Sequence, residues 1–144
     1  MKQLEELLEM WRKDSELDRT EPGKELTKIP QLHSKYLNIL SRHRLLSKES
    51  EFKLQKIRRL KWEYYTGKLD DDELKKYGWE PFPYVLKAEL NTYLDSDEDI
   101  NKHKAAKTIH DEIVTVCEAI LKELNNRTWE LRSFIDWEKF IQGV

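Results

Sequence analysis

Apolar residues recur at helical spacing from the start of the chain. Leu4, Leu7, Leu8 and Trp11 fall at i, i+3, i+4 and i+7 and predict a helix over residues 1–17 with one buried stripe. Asp18-Arg19-Thr20-Glu21-Pro22-Gly23 reads as a turn, because proline fixes φ and glycine frees it. A second helix is expected over residues 27–66, with Pro30 in its first turn, where a missing N–H costs little. Neither glycine nor proline occurs between Pro30 and Gly67, so this helix runs about ten turns, roughly 55 Å, too long for one small core to cover. Its apolar positions are Leu32, Tyr36, Leu40, Leu45 and Leu46, then Leu54, Ile57, Leu60 and Tyr64.

Gly67 is placed to end that helix as a left-handed cap. Residues 67–83, acidic at first and then carrying Gly78, Pro81 and Pro83, predict a loop. Residues 84–125 predict a short helix over 84–94, a break at Asp95-Ser96-Asp97, and a helix over 97–125. Ala106, His110, Ile113, Cys117, Ile120 and Leu124 alternate by four and three along the latter, the spacing of a helix–helix seam. Asn125-Asn126 is expected to interrupt it, and Thr128 to cap a last helix over 128–144. There Trp129, Leu131, Phe134, Ile135, Trp137, Phe140, Ile141 and Val144 spread over about 240° of the circumference, against the roughly 100° that one packing surface requires. One face is expected to pack on its own subunit and the other on a second chain, since two Trp and two Phe left to solvent would invite aggregation. Trp129, Phe134, Ile135, Trp137, Phe140 and Ile141 are the interface candidates, with burial inside one subunit as the alternative for each.

Composition narrows the class. With 144 residues and only four Gly and four Pro, the chain predicts a single all-α domain spanning 1–144, short of the turns a sandwich or barrel needs. No run approaches a membrane span, and acidic residues occupy the place of a signal peptide's apolar segment, so the expected location is cytoplasmic, with no membrane contact. The single cysteine, Cys117, lies in an apolar run and excludes an internal disulfide. The net charge of −2 is uneven: residues 42–61 hold eight basic and two acidic side chains, a local +6 that leaves −8 for the remainder.

That basic stretch also carries aromatic rings. In Gln55-Lys56-Ile57-Arg58-Arg59-Leu60-Lys61-Trp62-Glu63-Tyr64-Tyr65, helical geometry sets Arg58, Lys61, Trp62 and Tyr65 within about 100° of one another, with Arg59 flanking Trp62. Single-stranded nucleic acid uses both groups, cations for its phosphates and rings for its unstacked bases. The alternative is a solvated helix face whose aromatic residues enter the core, with Lys61 snorkelling from the edge of the apolar stripe. Asp70-Asp71-Asp72-Glu73 and Asp95, Asp97, Asp99 read as charges at helix amino termini. The second set starts like a calcium loop, but Ile100 stands where glycine is needed and Ala106 where a bidentate Glu is needed. His33, His43, His103 and His110 lack zinc-site spacing, and neither a phosphate-binding glycine loop nor a nucleophile motif occurs. The chain therefore reads as a non-enzyme without metal or cofactor.

With the basic–aromatic helix and the aromatic carboxyl end in view, the chain resembles the UvsY recombination mediators of large tailed phages over most of its length. His33-Ser34-Lys35-Tyr36-Leu37-Asn38, Arg59-Leu60-Lys61-Trp62-Glu63-Tyr64-Tyr65-Thr66-Gly67 ahead of an acidic loop, and Val116-Cys117-Glu118-Ala119 carry the likeness by their order and spacing. The resemblance implies an all-helical, ring-like homo-oligomer of about six or seven subunits, joined through its carboxyl-terminal region. It also implies binding to single-stranded DNA and loading of a RecA-like phage recombinase where single-strand-binding protein sits, in the host cytoplasm and without hydrolysis. By the same resemblance, a basic pair at i, i+2 ahead of the tyrosines contributes to DNA binding, here Arg59 and Lys61, with Lys and Arg in reversed order. A helical oligomeric scaffold without DNA affinity is the competing reading, and a magnesium-dependent nuclease acting through Asp70–Glu73 is a remoter one.

Overall fold

The computed structural model describes residues 1–82 and 85–144. Its order is α1 (Lys2–Asp14), α2 (Pro22–Tyr65), α3 (Asp71–Tyr77), a 3-10 turn at Lys87–Glu89, α4 (Leu90–Asp95) and α5 (Glu98–Gln142). The fold is all-α, with no strand among the described residues. Two compact units arise where the sequence predicts one domain: Met1–Leu45 with Ile109–Val144, and Leu46–Thr108. The two long helices α2 and α5 supply residues to both.

In the first unit, Leu7, Tyr36, Leu40, Ile113, Cys117, Ile120, Leu124 and Leu131 are buried together. The seam expected on α5 is present from Ile113 to Leu124 and extends to Leu131, while Ala106 is exposed. Trp11 meets the Tyr36 ring edge-on at 5.5 Å. The Tyr36 hydroxyl donates to Asp14 at 2.8 Å, and Lys35 pairs with the same carboxylate at 2.6 Å. Burial would raise the Asp14 carboxyl, but these two donors outweigh it and hold it below the usual carboxylate range. Buried Arg127 donates to the Ser15 carbonyl at 3.0 Å and so closes the carboxyl end of α1. His43 and His110 face each other with their Nδ1 atoms 2.9 Å apart.

Four expected boundaries are corrected. Helix α2 starts at Pro22, so Pro30 lies within it, on an exposed position. The loop predicted over 67–83 contains α3: the Asp70 side chain accepts from the Glu73 amide at 2.8 Å, Leu74 is buried, and Gly78 closes the helix at φ 70°. Of the helix predicted over 84–94, Tyr84 lies outside the described residues, and the regular structure begins at Lys87. The helices predicted over 97–125 and 128–144 are one, because Asn125 and Asn126 face solvent while Leu124, Arg127 and Leu131 continue the buried stripe through them. The weak helix propensity of two Asn, about 0.7 kcal/mol each, loses to that packing.

The second unit is built on the last five turns of α2. Gly67 ends that helix at φ 74°, as its place predicts. Asp97 starts α5 by accepting from the Ile100 amide at 3.0 Å, and Leu74, Leu94 and Ile100 are buried.

Candidate nucleic-acid interface

The helical wheel that gathered Arg58, Lys61, Trp62 and Tyr65 holds in outline, but their environments differ. Lys56, Arg58 and Arg59 are exposed. The Arg59 side chain is 83% exposed and pairs with Glu63, one turn on, at 3.5 Å. Such a pair in water contributes little and leaves the guanidinium open to a stronger anion. Trp62 is 38% exposed, and Lys68, which follows the Gly67 cap, places its ammonium 4.0 Å from the indole centroid. Gln55, Arg58, Arg59, Trp62 and Leu94 line an open groove of about 320 Å³.

Lys61 points the other way. It is 6% exposed, and its Nζ lies 3.2 Å from Asp97 and 2.8 Å from Asp99, with the Trp79 ring centroid 4.0 Å away. Tyr65 joins the same cluster by donating to Asp97 Oδ2 at 2.6 Å. Burial alone would raise the Asp97 carboxyl, but hydrogen bonds from Tyr65, the Ile100 amide and Lys61 hold it below its ordinary value. Burial, then the bond to Asp97, pushes the Tyr65 phenol up. Arg59 and Lys61, expected to act together on a strand, therefore do not share one surface: the first is exposed and the second is buried in its ion pairs. An i, i+2 pair on a helix diverges by about 200°, so one partner faces solvent when the other is buried. Lys68 was missed by the sequence reading because it lies beyond the helix end, and its contact with Trp62 depends on the left-handed turn at Gly67.

A profile of the family described as "Recombination, repair and ssDNA binding protein UvsY" matches residues 10–144. The chain belongs to the UvsY family. The recombination protein UvsY of Enterobacteria phage T4 is 28% identical over 142 residues, covering 97% of this chain and 98% of that one. Two crystal structures of the bacteriophage T4 recombination mediator protein UvsY share the fold at 24% identity, with TM-scores of 0.81 and 0.84. They cover 94% and 96% of this chain and 98% and 97% of theirs. The UvsY resemblance inferred from the sequence is thereby established, and with it membership of a phage recombination mediator family. Among the described residues, no helix is long and apolar enough to cross a membrane.

The first unit of this UvsY relative carries the other candidate surface. Leu131 is buried and Phe134 and Ile135 are half-buried, whereas Trp129, Trp137, Phe140 and Ile141 are exposed, Phe140 at 74%. Trp137 and Phe140 stack on one another at 5.7 Å, and Arg132 lies 5.6 Å from the Trp129 ring centroid. The wide apolar arc thus divides as its spread implied: one edge enters the core and the remainder is left open.

Proposed function

We propose that this protein binds single-stranded DNA through Lys56, Arg58, Arg59, Trp62 and Lys68, and as a homo-oligomer loads a RecA-like phage recombinase onto DNA covered by single-strand-binding protein. The observation that carries the reading is the groove lined by Arg58, Arg59 and Trp62, with Lys68 set 4.0 Å from the indole centroid, so that exposed cations flank an accessible ring. Phosphates meet the cations without regard to sequence, and one base lies on the indole. Lys61, buried against Asp97 and Asp99, braces this part of the second unit instead of touching the strand. Trp129, Trp137, Phe140 and Ile141, with Phe134 and Ile135 at their margin, join subunits into a ring, and repeated weak patches on one strand then act at high effective concentration. Displacement of single-strand-binding protein draws on differential binding to a bent or extended strand, without a nucleotide fuel.

Fluorescence anisotropy of a labelled oligothymidine, single-stranded and then duplexed, titrated across a salt series, tests the reading. Salt-sensitive binding that favours the single strand is expected. A folded protein that binds neither form at low salt would instead be the helical scaffold, which the open aromatic face of α5 supports equally well.

A further inference from the structure

Beside the Trp62 groove lies a second cavity, of about 410 Å³, lined by Tyr65, Gly67, Phe82, Val85, Lys87 and Leu90 among others. We propose that it is a nucleotide pocket, taking one unstacked base of a single strand with the neighbouring phosphate at Lys87. The inference rests on the single-strand reading above and adds to it a base-holding site that the exposed cations do not supply.

Three observations carry it. The walls are set before any ligand arrives: Tyr65 is tethered to Asp97 at 2.6 Å, and Phe82 meets the Tyr65 ring edge-on at 4.9 Å and the Tyr93 ring at 5.4 Å. A preformed aromatic wall binds a flat ring without first ordering its own side chains. Gly67, at φ 74°, has open space where a Cβ would stand, so a ring can approach the backbone there. Finally, the two cavities succeed one another along both helices that line them. Trp62 and Leu94 belong to the groove, while Thr66 and Leu90 belong to the pocket. Each step is four residues, about one turn or 5–6 Å, with Thr66 one residue past the end of α2 and its amide still bonded to the Trp62 carbonyl at 3.0 Å. Among the described residues that line the pocket, the charged side chain is Lys87, and the cations of the groove continue the field. Cations around aromatic walls suit a nucleotide better than an apolar peptide side chain.

The test compares oligothymidine with an abasic strand of equal length, bound by the wild-type protein and by Val85→Trp, which fills the cavity from a residue outside any helix. The wild type is expected to favour the thymidine strand by well over tenfold, and Val85→Trp to lower that preference about tenfold, leaving the share due to Trp62, while keeping the salt slope. A folded Val85→Trp that keeps the wild-type preference overturns the pocket. Photocrosslinking of the unaltered protein to a 4-thiothymidine strand decides the matter even if that variant does not fold. Adducts on Tyr65 or Phe82 are expected, and adducts confined to Trp62 overturn the pocket while leaving the groove standing. Absence of salt-sensitive binding to either strand sinks both.

Discussion

Lys61 and Asp97 form a buried ion pair, with the ammonium 3.2 Å from a carboxylate whose side chain is 3% exposed. The same carboxylate accepts the Tyr65 hydroxyl and the Ile100 amide, so one side chain fastens the last turns of α2 to the first turn of α5 within the second unit. Removing one partner of such a pair leaves a charge in a place that water does not reach.

Lys61→Met is accordingly expected to lower unfolding free energy by about 3–5 kcal/mol, measured by urea denaturation. Its salt slope for single-stranded DNA is expected to match that of the wild type. Arg58→Ala and Arg59→Ala should each reduce the magnitude of that slope by about 0.7 while leaving stability nearly unchanged. A Lys61→Met slope as reduced as theirs would restore Lys61 to the strand.

Trp62→Ala tests stacking apart from charge. The exposed indole can leave without opening a core cavity, so the fold should persist while affinity falls by about 1–3 kcal/mol at unchanged salt slope. Intact helical circular dichroism with undiminished affinity would show that no base lies on that ring.

For the aromatic face, Trp137→Asp with Phe140→Asp is expected to shift sedimentation velocity from oligomer to monomer without unfolding the subunit, because both side chains are exposed. Leu131→Ala serves as the contrast. It empties a core position and should cost about 2–5 kcal/mol in stability.

The histidine pair predicts a dependence on pH. Burial, then His110 and Arg42, lower the His43 pKa, so the folded chain disfavours a proton on His43. Arg44, paired with Glu118 at 3.1 Å, adds a further cation to this stretch of α2. Because the folded value lies below the unfolded one, about 6.5, the unfolded chain binds more protons as pH falls. Stability is full above about pH 6.5 and declines below it. Urea midpoints at pH 7.5 and 5.5 should differ in that direction, and His43→Gln should narrow the gap. Equal midpoints in the wild type would remove the pair from the pH response.

Local signals read well from sequence where they had local causes. Asp97 as a helix start, Gly67 as a cap and the Ile113–Leu124 seam all follow from neighbours within a turn or two. Helix α3 was also legible, since Asp70 with Glu73 three residues on is an amino-terminal signature, but the surrounding Gly and Pro outweighed it. Asn125-Asn126 misled because propensity is weaker than a continuing buried stripe. The fate of Lys61 depended on Asp97 and Trp79, residues distant in sequence whose approach no periodicity encodes. The open aromatic edge of α5 was readable because an arc too wide for one neighbour is a property of the helix itself.

The first unit is assembled from two stretches, Met1–Leu45 and Ile109–Val144, with the whole second unit between them in sequence. During synthesis, at roughly 5–20 residues per second, Leu7, Tyr36 and Leu40 therefore wait several seconds for Ile113, Cys117 and Leu124 to emerge. The middle unit has no such wait, since its chain is complete once Thr108 is made. Nascent chains thus pass through an interval in which the amino-terminal helices show an uncovered apolar stripe, and a ribosome-bound chaperone has its natural window there.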